Sequence, residues 1–130
     1  MLGLEKLEIA KVFLEKELGS LVKDLFFNDM LVRIRVVLQN GNIFIVYYND
    51  HDQYSYSLIF SSKELDRCRF DNFDKEWDVN TAPHHFHPRL VIEGFDSPMI
   101  DAPDADIPNI CDLIKKDILL DSNHRFQQTN

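Results

Sequence analysis

The chain has 130 residues, 45% hydrophobic and 28% charged, the size and balance of one ordinary soluble domain. Twelve per cent of positions are aromatic, ten of them Phe, which excludes a disordered chain, and the two cysteines are too few for a disulfide-stapled miniprotein. Fourteen basic against 22 acidic residues give a formal net charge of −8, which excludes broad electrostatic attraction to nucleic acid and leaves only local contacts to a polyanion.

The acid excess is uneven: residues 1–70 hold 9 basic and 10 acidic side chains, and residues 71–130 hold 5 and 12. The longest apolar run, Ile43 to Tyr48, is far below the roughly 20 residues that a bilayer requires, so no membrane span is expected. Met1 to Lys6 lacks the basic region and apolar run of a signal peptide, with acids at Glu5 and Glu8 that recur every few residues, so a cytoplasmic chain is expected. Cys68 and Cys111 have no metal-type spacing and read as free, buried thiols.

In chain order, Leu4, Leu7, Leu14, Leu18, Leu21, Val22 and Leu25 recur at threes and fours, which predicts one amphipathic helix over residues 1–28, with Gly19-Ser20 a break point. Its other face, including Lys6, Glu8 and Lys11, is expected in solvent. The period then becomes two: Val32, Ile34, Val36 and Leu38 alternate with Arg33 and Arg35. Asn40-Gly41 predicts a two-residue type I′ turn into a strand at 43–48, pairing Arg33 with Tyr48 and Arg35 with Val46.

Tyr54, Tyr56, Leu58 and Phe60 predict a third strand, and Cys68 and Phe70 face inward on a fourth, with Arg67, Arg69 and Asp71 outward. From Asp104-Ala105-Asp106 a second helix is predicted over 104–120, with Pro108 in its first turn and Ile107, Ile110, Leu113, Ile114 and Ile118 as its core stripe. The expected fold is one α+β domain. It has an N-terminal helix, a four-stranded antiparallel meander over 30–72, a His/Pro loop over 73–103 and a C-terminal helix.

The aperiodic segment 73–103 is the place to look for chemistry, because long loops inside compact domains are often functional. Pro83-His84-His85-Phe86-His87-Pro88 is stiffened by its prolines, and in an extended backbone His85 and His87 share one side and His84 takes the other. Imidazoles titrating near 6.5 suit general acid–base work on a phosphodiester or ester; they also serve as plain hydrogen-bonding loop residues, or as metal ligands. No second ligand set of known spacing accompanies them, so neither a metal nor another cofactor is expected.

Arg33, Arg35, Arg67 and Arg69 project from the expected polar sheet face with Asp71. Their guanidinium forks match phosphate, though charge on an open antiparallel face is ordinary in itself. Tyr47, Tyr48, Tyr54, Tyr56 and Trp77 are candidates for base stacking or, more simply, for strand packing. Glycine-rich phosphate loops and nucleophile elbows are absent, and Cys68 faces inward, where a thiol is inert.

Tyr54-Ser55-Tyr56, Arg69-Phe70-Asp71-Asn72 and Pro83-His84-His85-Phe86-His87, in this order, resemble the TumE-type toxin family of prokaryotic toxin–antitoxin pairs over about residues 30–115. The resemblance implies a small toxin with an antitoxin protein as partner, acting on nucleic acid, and matches Arg69, Asp71, Asn72, His84, His85 and His87 to the family's polar motifs. The resulting expectation is a metal-independent ribonuclease. His84, His85 and His87 would supply acid–base catalysis with Asp71 orienting them, and Arg69, Arg67, Arg33, Arg35, Asn72 and Tyr56 would contact RNA. The alternative is a non-enzymatic interaction module whose sheet face and helix bind a partner.

Overall fold

The computed structural model describes residues 1–73 and 78–127. It is an α+β two-layer arrangement in which two helices cover one face of a seven-stranded antiparallel sheet, ordered β1 to β7 as in the chain. The strands are β1 (Val22–Asn28), β2 (Arg33–Leu38), β3 (Ile43–Tyr48), β4 (Tyr54–Ile59), β5 (Arg67–Asp71), β6 (His85–His87) and β7 (Phe95–Asp96). The helices are α1 (Gly3–Leu18) and α2 (Pro103–Lys115). Among the described residues no helix is long and apolar enough to cross a membrane.

The four expected strands are present as β2 to β5, and β1, β6 and β7 extend them. The expected helix over 1–28 ends at Leu18, because Gly19 adopts φ +49°, and residues 22–28 become an edge strand. A bulge explains the misleading spacing. The register shifts between Val22 and Asp24, so Val22 and Leu25, three residues apart as on a helix, both lie on the core side, opposite Leu38 and Val36. Lys6, expected in solvent, is buried, and its Nζ bonds Asp101 Oδ2 at 3.0 Å and Asp52 Oδ1 at 3.2 Å, tying α1 to both loops.

The β2–β3 register also differs. Arg33 faces Tyr47 and Arg35 faces Ile45, one residue short of the expected partners. Leu38 N–H bonds Asn42 O at 2.9 Å and Gly41 N–H bonds Leu38 O at 2.9 Å, with Gly41 at φ +91°, the marks of a three-residue loop closed by a left-handed glycine. The hydrophobic pattern decides this. Pairing Arg33 with the buried Tyr48 would join an outward residue to an inward one, whereas the observed register keeps Ile34 and Val36 beside Val46 and Phe44 in the core.

The core side of the sheet packs Ile34, Val36, Phe44, Val46, Leu58, Phe70 and Phe86 against Leu7, Leu14, Ile107 and Ile110 of the helices. Helix α2 starts at Pro103, so Pro108, expected in the first turn, lies inside the helix. Its N-terminus is held by Asp106, whose carboxylate accepts hydrogen bonds from Ile100 N–H at 3.0 Å and Ala102 N–H at 3.2 Å. Helix α2 gives way after Lys115 to Asp117 in the left-handed region and a short 3₁₀ turn, Ile118–Leu120. Cys68 and Cys111 are free and buried, and burial pushes each thiol up to about 12.

Candidate functional site

The segment expected as a loop contributes the decisive strand. β6 pairs with β5, setting His85 opposite Asp71 and His87 opposite Arg69, on the sheet face away from the helices. Alternation along β6 sends Phe86 the other way, into the core against Phe70, with ring centroids 4.6 Å apart. That aromatic contact anchors the three-residue strand and fixes which way its two histidines project.

The cluster is tight and buried. Asp71 and His85 are each 1% exposed, His87 is 8% exposed, and the Arg69 side chain, at 47%, reaches solvent. Arg69 Nε bonds Asp71 Oδ2, and His85 Nε2 contacts Asp71 Oδ1. The two imidazoles stand nearly perpendicular, 87° between planes, with centroids 4.8 Å apart. Each ring is oriented from behind by a main-chain carbonyl: His85 Nδ1 lies 3.0 Å from Pro83 O and His87 Nδ1 lies 3.0 Å from Ile92 O. These carbonyls accept hydrogen bonds from Nδ1–H, which sets the tautomer and turns Nε2 of each ring toward the cluster.

The charges follow from these contacts. Burial works to raise the Asp71 pKa, but the hydrogen bond from His85 and the nearby Arg69 charge overcome it and hold the carboxyl below its usual range. Burial, reinforced by Arg69, lowers the pKa of His87, so its imidazole is neutral near pH 7. In His85 both ring nitrogens face oxygen acceptors, an arrangement satisfied when a cation, a proton or a metal ion, sits on Nε2. One carboxylate, one neutral imidazole and one imidazole with an acidic partner thus meet beneath a guanidinium.

The other expected site residues are dispersed. His84 lies on the helix side, where its Nδ1 is 3.0 Å from Tyr54 Oη and its ring stacks on Tyr54. It borders a separate cleft of about 540 Å³ with Thr81, Asp96 and Met99. Tyr56 is fully buried on the same side and donates to Asp106 Oδ2 at 2.8 Å, so the structure places it away from the surface where RNA contact was expected. Asn72 braces the backbone, accepting from Tyr54 N–H at 3.0 Å and donating to Asp52 O at 2.8 Å. Trp77 lies outside the described residues.

Arg67 is exposed on β5, two positions from Arg69 on the same face. Arg35 aligns with Arg69 through Ile45 and Ser57, three strand spacings away or about 14 Å, and Arg33 flanks it, so neither belongs to the cluster. Two participants in the site's geometry escaped sequence reasoning, Phe86 as the anchor and the Pro83 and Ile92 carbonyls as orienting groups. The alternation His-Phe-His pointed to the first; main-chain acceptors leave no sequence signal.

A family model described as Toxin TumE matches residues 10–118 of the 130. No curated protein and no solved structure matches the chain.

Proposed function

The chain belongs to the TumE toxin family, and on that premise we propose that this toxin of a toxin–antitoxin system cleaves RNA at the Asp71–His85–His87–Arg69 cluster. The observation that carries the reading is the convergence of two carbonyl-oriented imidazoles and a carboxylate next to an exposed arginine. A scissile phosphate first meets Arg69, the group of the cluster that reaches solvent, and competes with Asp71 Oδ2 for its guanidinium. His87, kept neutral by burial, accepts the ribose 2′-hydroxyl proton as that oxygen attacks phosphorus.

His85, whose Nε2 contacts Asp71 Oδ1, is the group placed to donate a proton to the departing 5′-oxygen as the P–O bond breaks. The products are a 2′,3′-cyclic phosphate and a 5′-hydroxyl, and Arg69 stabilises the charge that develops on phosphorus. Opposed environments on neighbouring titratable groups are how one site supplies both a base and an acid.

An antitoxin protein is the partner that a toxin of this family implies. The acid-rich half after residue 70 suits a basic segment of such a partner. A second reading, in which the histidines only brace β6 and the toxin acts by binding, draws on the burial of both imidazoles.

The decisive experiment compares wild type with a His85→Gln, His87→Gln double variant, reading RNA termini by mass spectrometry and bacterial growth after induction. Cyclic-phosphate ends produced by wild type alone support cleavage. Equal growth arrest by both folded proteins leaves the interaction reading standing and removes the catalytic one.

A further inference from the structure

Asp71, His85 and His87 each offer a ligand atom, and these three atoms lie within 4.8 Å of one another, all in buried residues. We infer that this set binds one zinc-class transition-metal dication. Two nitrogens and one carboxylate oxygen suit borderline ions such as Zn²⁺ and suit Mg²⁺ poorly, because Mg²⁺ prefers an all-oxygen octahedron.

Three features make the set a prepared site rather than a chance grouping. The β5–β6 register fixes all three side chains on one face, with His85 directly opposite Asp71. Both histidines turn Nδ1 to a main-chain carbonyl, at 3.0 Å to Pro83 O and 3.0 Å to Ile92 O, the outer support that metal-binding histidines generally have. Asp71 uses Oδ2 for Arg69 and directs Oδ1 at His85 Nε2, a contact that a proton bridges in the metal-free chain and that an ion replaces by taking both atoms as ligands. An ion about 2.1 Å from each ligand separates them by about 3.4 Å, so loading opens the direct Asp71–His85 contact while the three atoms stay within their present 4.8 Å span.

Binding has a regulatory consequence, which rests on the cleavage reaction proposed above. The ion takes the Nε2 lone pair of His87 that accepts the proton and displaces the proton that His85 donates. Zinc therefore silences the toxin reversibly, and a chelator restores it. The binding itself does not depend on that reaction.

The test uses the full chain, stripped of metal, and Zn²⁺ alone. Calorimetry is expected to give one equivalent bound and a higher Tm for wild type. Asp71→Asn and His87→Gln, near-isosteric changes, are expected to weaken binding at least tenfold, and His124→Gln, outside the set, to leave it unchanged. Absence of wild-type binding, or wild-type affinity in both site variants, would falsify the site.

Should those variants misfold, Co²⁺ added to wild type decides the matter. An intense visible band, abolished by one equivalent of Zn²⁺, supports a low-coordinate nitrogen and oxygen site, and a spectrum equal to that of aqueous Co²⁺ refutes it. Cleavage unchanged or accelerated by bound Zn²⁺ overturns the regulatory role. A protein that binds Zn²⁺ but never cleaves RNA, with or without chelator, instead sinks the proposed function and leaves the site intact.

Discussion

The two sides of one sheet handle polar groups in opposite ways. On the helix side, Tyr48 Oη and Tyr56 Oη bond at 2.8 Å and Tyr56 passes on to Asp106, which in turn holds the start of α2. Each member has partners, and burial raises the pKa of both tyrosines, so this chain stays neutral at its phenols and acts as a lock. On the open side, Asp71, His85 and His87 are also buried but end at an exposed arginine, and one oxygen and two ring nitrogens lie within 4.8 Å of one another. Residues 84 and 85 are neighbours in the chain and fall on opposite sides. A satisfied network makes a fastening, and a buried network opening onto a charged rim can exchange protons or ions.

The sharpest way to break this comparison is His87→Gln. Losing a general base is expected to cut RNA cleavage about 100-fold or more, in line with the usual 10²–10⁴ contribution, with a much smaller change in the urea midpoint. A large stability loss with proportionate activity loss would make the open side another lock.

Arg69→Ala comes next. A charged hydrogen bond of about 1.5–3 kcal/mol corresponds to roughly a tenfold to hundredfold loss, expected mainly in KM because the arginine meets the phosphate first. Steady-state cleavage of a short RNA at several salt concentrations reads this directly. The salt dependence should also be shallow, since two to four phosphate contacts give a log–log slope no steeper than about −4.

Tyr56→Phe probes the other side. It leaves Asp106 Oδ2 and Tyr48 Oη without their shared hydroxyl, at a cost of about 1–3 kcal/mol by chemical denaturation. Cleavage per folded molecule should stay within about twofold. His84→Asn should behave the same way at smaller amplitude, because His84 serves Tyr54 and not the cluster.

These outcomes bear on what the residues alone could disclose. Alternation exposed β2 to β5, and it correctly separated His84 from His85 and His87, because side-chain direction in an extended segment has period two whatever the partner. It failed at residues 22–28, where a bulge imitated helical spacing, and at Asn40-Gly41, where burial of Tyr48 overrode a strong turn signal. β6 was invisible as a strand because three residues between prolines have too little pattern to show pairing. Phe70 packing on Phe86 supplies the missing reason, and it is a contact between distant parts of the chain. The grouping of Asp71 with two histidines follows from that pairing, not from sequence spacing. Tyr56 lies on the buried side because the motif containing it mixes an outward serine with inward tyrosines.

The smallest expected effect is the pH dependence of stability, and it has opposite signs on the two sides. His87 has a lowered folded-state pKa, so below about 6.5 the unfolded chain binds more protons, and its contribution, complete above that value, erodes as pH falls. Asp71, also lowered, adds a second loss below its model-peptide value of 3.8. Asp106 is raised, chiefly by burial, so between 3.8 and its folded value the native state holds the extra proton. Its contribution is fully present below 3.8 and declines as pH rises through the folded value. Urea midpoints measured from pH 7.5 down to 5.0 should therefore fall in wild type and flatten in His87→Gln, and extending the series toward 3.8 should show Asp106→Asn falling more steeply than wild type, because the opposing slope is removed. A His87→Gln profile parallel to wild type would mean that the imidazole does not titrate differently in the folded state, and it would remove burial as the reason for its neutrality.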